Sequence, residues 1–147
     1  MKKLLAIAMM ALMTFGATVG IAVAGSYGKQ KVVYHVNYGD EKRQKGALRN
    51  IQNHINAVGK ENLDLRVVMH SKGYTLLKRA NNNPDFEQKV ANLKKQGVKF
   101  QICANTLRGK KINYKNDLYD VEKSDIVPSG VAELAHLQQM GFAYIRP

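Results

Sequence analysis

Apolar residues follow two different periods along this chain, and segments of the two kinds alternate. Runs rich in β-branched residues over 31–36, 63–70 and 98–102 are typical of strands. Between them, over 41–58 and 85–96, apolar residues recur every three or four positions, as they do in amphipathic helices. Strands that alternate with helices in this way predict an α/β domain built on a parallel sheet.

The predicted helix over 41–58 has a start and a stop signal. Asp40 precedes it as a suitable N-cap, and Gly59 follows it as a stop. Its apolar positions fall at helical spacing: Ala47, Leu48, Ile51, Ile55 and Val58. The second long helix, over 85–96, is closed by Gly97, and its apolar stripe is Phe86, Val90 and Leu93. Both helices are therefore expected to cover a sheet.

The other segments predict shorter elements. They are a helix over 74–80, a loop over 81–84, helical turns at Asn105-Thr106 and over 114–119, a strand over 126–128, a helix from Ser129 to Met140, and a strand over 141–146. The fold expected is a three-layer α/β sandwich with a mostly parallel sheet of about five strands.

Residues 1–24 have the pattern of a secretory signal peptide. Lysines follow the first methionine, an apolar run extends to Phe15, and small residues precede a cleavage point after Ala24. An uncleaved membrane anchor is the alternative, since about 20 apolar residues span a bilayer. Glycines and threonines in the second half favour cleavage. We therefore expect a single domain over 25–147, periplasmic or secreted, with no stable membrane insertion.

The charge of the chain is strongly basic. It has 23 Lys and Arg against 11 Asp and Glu, a net charge of +12. Without residues 1–24, which hold two lysines and no acid, 21 basic and 11 acidic residues remain, a net charge of +10. Such a domain attracts anions. The basic residues are dispersed without interleaved aromatics, and with the export signal this argues against nucleic acid as a partner.

Ligands of an open parallel sheet bind beyond the carboxyl ends of its strands. Several polar residues follow the predicted strands directly. The rule places these residues on one rim: Asn37 and Tyr38, His70, Cys103 with Asn105 and Thr106 after it, and Ser129 with Gly130.

Cys103 is the single cysteine of the chain and its strongest candidate nucleophile. A reactive thiol needs a lowered pKa, which helix N-terminal amides or nearby cations supply. The cations near it in sequence are Lys99, Arg108, Lys110 and Lys111. A buried, inert cysteine is the other interpretation. In an oxidising compartment a lone thiol has no intramolecular disulfide partner, so it must be buried, modified or paired with another molecule.

The histidines and Glu133 are the other candidates for chemistry. His35, His54, His70 and His136 lack the spacing of metal ligands, so no metal site is expected. His70, at a strand end, is the candidate partner of the thiol. The amides of Ser129 and Gly130 suit an anion or a persulfide, whereas Glu133 is either part of that site or a capping-box acid. No phosphate loop or dinucleotide fingerprint occurs, so no cofactor is expected.

In their order along the chain, five segments resemble the DsrE/DsrF-like family, and in particular its exported members. The segments are 34–37, 48–54, 67–70, 98–107 and 126–134. The resemblance implies a flavodoxin-like sandwich, homo-oligomers such as trimers or hexamers, and a persulfide-carrying cysteine at the position of Cys103. Two features depart from the family pattern: Ser71-Lys72 replaces a small or acidic pair, and no second cysteine is present.

Two functions follow from these observations. In the first, an exported sulfur-handling protein binds or carries sulfane sulfur on Cys103, between a donor and an acceptor protein. In the second, a non-catalytic oligomer binds a small anionic ligand and its cysteine is structural. Oligomerisation is also expected because Tyr114, Leu118 and Tyr119 are apolar residues of an irregular segment, suited to packing against a neighbouring subunit.

Overall fold

The computed structural model describes residues 27–147, so the signal segment predicted over 1–24 lies outside the described residues. The strands are β1 (Gln30–Val36), β2 (Leu63–Met69), β3 (Lys99–Cys103), β4 (Ile126–Val127) and β5 (Ala143–Ile145). The helices are α1 (Glu41–Val58), α2 (Thr75–Ala80), α3 (Pro84–Lys95), α4 (Ala104–Lys110), α5 (Tyr114–Asp117) and α6 (Gly130–Gln139). Short 3-10 turns lie at Lys60–Asn62, Ser71–Tyr74 and Lys123–Asp125.

The five strands form one parallel sheet in the order β4-β3-β2-β1-β5. Helices α1, α2 and α3 cover one face of this sheet, and α6 covers the other. This arrangement is a flavodoxin-like three-layer sandwich, which confirms the predicted fold class. In such a sheet all strands end at the same edge, and this edge carries the candidate site.

Capping residues set the ends of the two long helices, α1 and α3. The Asp40 side chain accepts a hydrogen bond of 2.7 Å from the Arg43 amide, and α1 ends at Gly59, whose φ of 88° favours glycine. At the start of α3, the Asn83 side chain accepts from the Asp85 amide and Pro84 takes the first helical position. That helix therefore begins one residue earlier than predicted.

The core is divided unequally by the sheet. The larger part lies under α1, α2 and α3 and includes the predicted apolar stripes of α1 and α3. The smaller part lies under α6 and consists of five residues: Val33, Val68, Leu134, Leu137 and Phe142. Because a single described helix covers this second face, polar side chains occupy the face beyond the small core.

Close packing sets the position of the rim. The 3-10 turn after β2 crosses the end of β1 at Gly73, where a Cβ atom would overlap the carbonyl oxygen of Val36. The fully buried Gln44 donates hydrogen bonds to the Tyr38 carbonyl at 2.8 Å and to the Thr75 hydroxyl at 3.0 Å. These contacts hold the loops after β1 and β2 together.

The segment between β3 and β4 packs differently from the expectation. Leu118 is 3% exposed and belongs to the larger core, while Tyr114 and Tyr119 pack against that core. The amide of Tyr119 donates to the Leu77 carbonyl at 3.1 Å. Leu118 is therefore not available to a neighbouring subunit, because the segment folds back over α2. For the half-buried Tyr114 and Tyr119, the contact with a neighbouring subunit stays a prediction. No helix within residues 27–147 has the length and apolar character needed to cross a membrane.

Candidate functional site

Cys103 is the last residue of β3 and the residue from which α4 starts. It was expected just past the strand, but it still pairs with Val127 of β4. Only 5% of its surface is exposed. Its side chain lies on the α6 face of the sheet, in contact with the first helical residue, Gly130.

Opposing effects act on the pKa of Cys103. Burial raises it, but hydrogen bonds to the sulfur lower it, and the net result is a pKa below the ordinary value of a thiol. The donors are the backbone amides of Gly130, Thr106 and Asn105 and the hydroxyl of Thr106. Hydrogen bonds to a charged form stabilise that form, so this environment favours the thiolate.

The hydroxyl of Thr106 is held in place by the turn after β2. The Ser71 amide donates a hydrogen bond of 2.9 Å to the Thr106 oxygen. This geometry depends on the backbone of Ser71, which has a φ of 52°. With its oxygen occupied as an acceptor, the hydroxyl is oriented to donate its proton to the sulfur.

Gly130 allows α6 to approach the thiol closely. A Cβ built at this position would lie 3.3 Å from the Cβ of Cys103 and 3.0 Å from the Cβ of His70. A side chain here would therefore separate the Gly130 amide from the sulfur. Because both neighbouring Cβ atoms lie so near this one point, the geometry also shows that His70 and Cys103 are adjacent.

His70 makes its closest polar contact with another histidine. Its Nε2 atom lies 2.7 Å from Nε2 of His35, and the two rings stack with centroids 4.8 Å apart. Among residues 27–147 no hydrogen bond joins His70 to the sulfur, so His70 is a neighbour of the thiol and not its direct partner. The pair was not predicted from the sequence, although both histidines stand near the ends of successive predicted strands.

His35 is 7% exposed, and its Nδ1 atom lies 2.6 Å from the hydroxyl of Tyr144. Burial, followed by the charges of His70 and Arg146, lowers the pKa of His35 to about 4. Burial, followed by the charge of Arg146, also lowers the pKa of His70. Both imidazoles are therefore neutral at neutral pH.

Comparison with known proteins identifies the chain. The model of the DsrE/DsrF-like family matches residues 30–147. The chain belongs to the DsrE/DsrF-like family. The solved structure of MTH1491, a protein of unknown function from Methanobacterium thermoautotrophicum, is similar to it, with 34% identity and a TM-score of 0.69 over 81% of this chain and 100% of that one. No curated protein matches the chain.

Membership of the DsrE/DsrF-like family indicates a role related to sulfur relay. Within the family fold, the structure brings five of the predicted site residues together: Cys103, Asn105, Thr106, Gly130 and His70. The amide of Asn105 faces the sulfur, while its side chain accepts from Arg108. The site is therefore built from backbone donors and one hydroxyl.

Three other predicted residues have different contacts. Asn37 lies on the rim and accepts a hydrogen bond of 3.2 Å from Arg146. Ser129 caps α6 by accepting from the Ala132 amide. Glu133 accepts a hydrogen bond of 2.9 Å from Gln101. The capping-box interpretation of Glu133 is wrong, because the box position, three residues after the N-cap, is occupied by Ala132.

The cations expected around Cys103 do not act on its thiol. Lys99 begins β3 and Cys103 ends it, so the two lie at opposite edges of the sheet. The groups that lower the Cys103 pKa are hydrogen-bond donors, and Lys99, Arg108, Lys110 and Lys111 are not among them. Over residues 27–147, no cluster of three or more His, Cys, Asp or Glu side chains is arranged to hold a metal ion.

Proposed function

We propose that this protein carries sulfane sulfur as a persulfide on Cys103. The observation that supports the proposal is the position of Cys103 between the starts of α4 and α6, where the amide of Gly130 and the amide and hydroxyl of Thr106 lower the pKa of the thiol. Such donors stabilise an anion on sulfur, whether it is the thiolate before transfer or the persulfide anion after it. A cysteine that serves only for packing gains nothing from these donors.

The transfer step is a nucleophilic displacement at sulfur. The Cys103 thiolate attacks the outer sulfur of a donor persulfide, R–S–SH, and forms a new S–S bond. The bond between the two donor sulfurs breaks, and the thiolate R–S⁻ leaves. An acceptor thiolate then attacks the outer sulfur of the Cys103 persulfide and restores the Cys103 thiolate. No oxidant or reductant is consumed.

The burial of Cys103 restricts the donors it accepts. With 5% of the residue exposed, only a slender sulfane end reaches the sulfur from the rim. The net positive charge of the chain favours anionic donors over neutral ones. We therefore propose donors whose terminal sulfur is carried on an unbranched thiol, free or within a partner protein.

The proposal places the protein outside the cytoplasm as a homo-oligomer. Export is supported by the signal-like pattern of residues 1–24. Assembly is supported by exposed apolar side chains on α6 and at its end, where Val131 is 65% exposed and Met140 is 44% exposed. A trimer or hexamer would cover these side chains with a neighbouring copy of the chain.

The test is persulfide loading of the folded protein. After incubation with cysteine persulfide and removal of the donor, intact mass is expected to increase by one sulfur atom. Dithiothreitol is expected to reverse the increase, and Cys103→Ser is expected to show none. The matched variant Ser124→Ala keeps the cysteine and changes an exposed serine on the 3-10 turn before β4, so it should load as the native protein does. A native protein that gains no sulfur contradicts the proposal.

The alternative is a binding protein for a small anion in which Cys103 is structural. The burial of Cys103 favours it, because an inert cysteine is expected to be inaccessible. The same measurement separates the two functions. Under the alternative, the thiol acquires sulfur only after the protein is denatured.

A further inference from the structure

Four neighbouring strands each place one side chain in a row across the α6 face. In sheet order these are Cys103 on β3, His70 directly after β2, His35 on β1 and Tyr144 on β5. The row runs diagonally, because Tyr144 pairs with Val33 and His35 pairs with Val68. His35 therefore lies two residues further along than Tyr144, and His70 two further than His35. The pairing of Met69 with Ile102 then sets His70 beside Cys103. The row leads from the edge of the sheet to the thiol.

Hydrogen bonds join three members of the row without a gap. The Tyr144 hydroxyl lies 2.6 Å from Nδ1 of His35, and Nε2 of His35 lies 2.7 Å from Nε2 of His70. Tyr144 is 42% exposed, whereas His35 is 7% exposed. The chain therefore starts in solvent, passes through a buried imidazole and ends beside Cys103. Among residues 27–147, Nδ1 of His70 makes no hydrogen bond, so it is the last atom of this hydrogen-bonded chain.

The hydrogen bond between Nε2 of His35 and Nε2 of His70 contains one proton, which belongs to one ring or the other. Two acceptors or two donors repel at 2.7 Å, so one ring donates and the other accepts. In one state, the Tyr144 hydroxyl donates to Nδ1 of His35, Nε2 of His35 donates to Nε2 of His70, and His70 carries its proton on Nδ1. In the other state, both hydrogen bonds are reversed: His70 carries its proton on Nε2, His35 carries its proton on Nδ1, and Nδ1 of His70 is an acceptor. Both states keep all rings neutral.

A second tyrosine–histidine hydrogen bond in the fold cannot pass a proton onward. On the opposite face, the Tyr34 hydroxyl lies 3.0 Å from Nδ1 of His54, whose Nε2 lies 2.8 Å from Oε1 of Gln30. A glutamine side chain cannot pass a proton on, so this chain stops there. His54 therefore provides a matched control for His35.

We propose that Tyr144, His35 and His70 form a proton relay that serves sulfur transfer at Cys103. The proposal rests on the proposed function. His70 would be the catalytic acid and base that touches the donor or acceptor thiol. His35 and Tyr144 would be relay residues that connect His70 to solvent.

The two halves of sulfur transfer use the relay in opposite directions. When Cys103 takes sulfur from R–S–SH, the leaving R–S⁻ takes a proton from Nδ1 of His70. His70 is reprotonated at Nε2 by His35, His35 at Nδ1 by Tyr144, and Tyr144 by water, which leaves hydroxide in the solvent. When the acceptor thiol R′–SH arrives, its proton enters at Nδ1 of His70 and the chain returns to its first state. Each complete transfer thus resets the relay.

Single-turnover loading with cysteine persulfide, followed by rapid quenching and intact mass, tests the relay. Tyr144→Phe and His35→Gln are expected to load to the same final extent as the native protein but about 100-fold more slowly, at the lower end of the range of acid–base catalysis. Tyr144→Phe removes one exposed hydroxyl, so it keeps the test valid if His35→Gln fails to fold. The control His54→Gln should load at the native rate.

Rescue separates a relay from a merely structural role. Imidazole in the buffer is expected to raise the loading rate of Tyr144→Phe in proportion to its concentration, while the native rate stays constant. If the native protein loads but Tyr144→Phe loads as fast, or imidazole has no effect on a slow variant, the relay is overturned and the proposed function stands. If the native protein does not load at all, the proposed function falls and the relay falls with it.

Discussion

The first residue of α6, Gly130, lies against Cys103, and its amide is one of the groups that lower the pKa of the thiol. The space at the Gly130 Cα is also bounded by His70, whose Cβ would lie 3.0 Å from an added Cβ. The start of α6 thus packs against both Cys103 and His70, the last residue of the proposed relay. The properties of Cys103 therefore depend on how closely α6 sits on the sheet.

Gly130→Ala should both weaken the fold and raise the Cys103 pKa. The new methyl group would lie 3.0 Å from the Cβ of His70 and 3.3 Å from that of Cys103, so α6 or the strand ends must give by a few tenths of an ångström. Overpacking of this kind costs about 1–3 kcal/mol, and the lost amide hydrogen bond removes support from the thiolate. Urea unfolding and the thiolate absorbance at different pH values measure the two effects.

Gly46→Ala is the matched control for that substitution. Gly46 lies inside α1, and a Cβ there meets nothing within 4 Å. Alanine is a better helix former than glycine, so stability should rise by about 0.5–1 kcal/mol with the Cys103 pKa unchanged. Equal effects of the two substitutions would contradict the role given to Gly130.

Gly73→Ala should destabilise the protein more than Gly130→Ala does. A Cβ at Gly73 would overlap the carbonyl oxygen of Val36, which is backbone and cannot rotate away. We expect a loss of at least about 3 kcal/mol, or failure to fold, since the turn after β2 must leave its position at the end of β1. A soluble Gly73→Ala protein with native urea stability would refute this packing.

Stability should fall on mild acidification because of His35. The pKa of His35 is about 4 in the folded protein against 6.5 for the free side chain, so between these values the unfolded chain binds more protons. Acidification through this window then destabilises the fold by up to about 3 kcal/mol, and stability levels off below pH 4. His70 and His54, whose pKa values are also lowered, act in the same direction.

The variants His35→Gln and His136→Gln separate this effect from general acid sensitivity. His136 is exposed on α6 and serves as the control. The first variant should lose the largest part of the acid dependence, and the second should keep all of it. Urea unfolding between pH 4 and 7 gives the slopes, and a native slope in His35→Gln would show that the buried imidazole is not its source.

Export should be visible in the mass of the recovered protein. Small residues precede the expected cleavage point after Ala24, so the mature chain should begin at Gly25 and be found in the extracytoplasmic fraction. Intact mass of that fraction checks this. A membrane-bound form that retains residues 1–24 would support the anchor interpretation instead.

Local sequence predicted the elements of the fold well because their signals are local. The bounds of α1 follow from its apolar period, the cap Asp40 and the stop at Gly59, all within one stretch of chain. The rim followed from the rule for parallel sheets, and Cys103, Thr106 and Gly130 meet there. The close packing of Gly73 on Val36 could not be predicted in this way, because it joins two segments that are distant in sequence.

The row of Tyr144, His35 and His70 was missed because it depends on strand order. Tyr144 is 109 residues from His35 in sequence and reaches it only because β5 pairs with β1. The expectation that Lys99 lies near the Cys103 thiol is wrong because a strand is extended. The five residues from Lys99 to Cys103 span the length of β3 and place the two side chains at its opposite ends. Leu118 was misplaced because its segment looks irregular in sequence but closes over the core.

The alkylation rate of folded Cys103 as a function of pH is the sharpest test of a reactive thiolate at this position, because it reports both access to the sulfur and its pKa. With iodoacetamide and no denaturant, we expect complete modification, with a midpoint below that of the same thiol in the urea-unfolded chain. Thr106→Val should move the midpoint upward because it removes the hydroxyl donor, and Thr106→Ser should restore it. A thiol that reacts only after unfolding, or whose midpoint in the folded protein lies above that of the unfolded chain, would show that Cys103 is not a sulfur carrier.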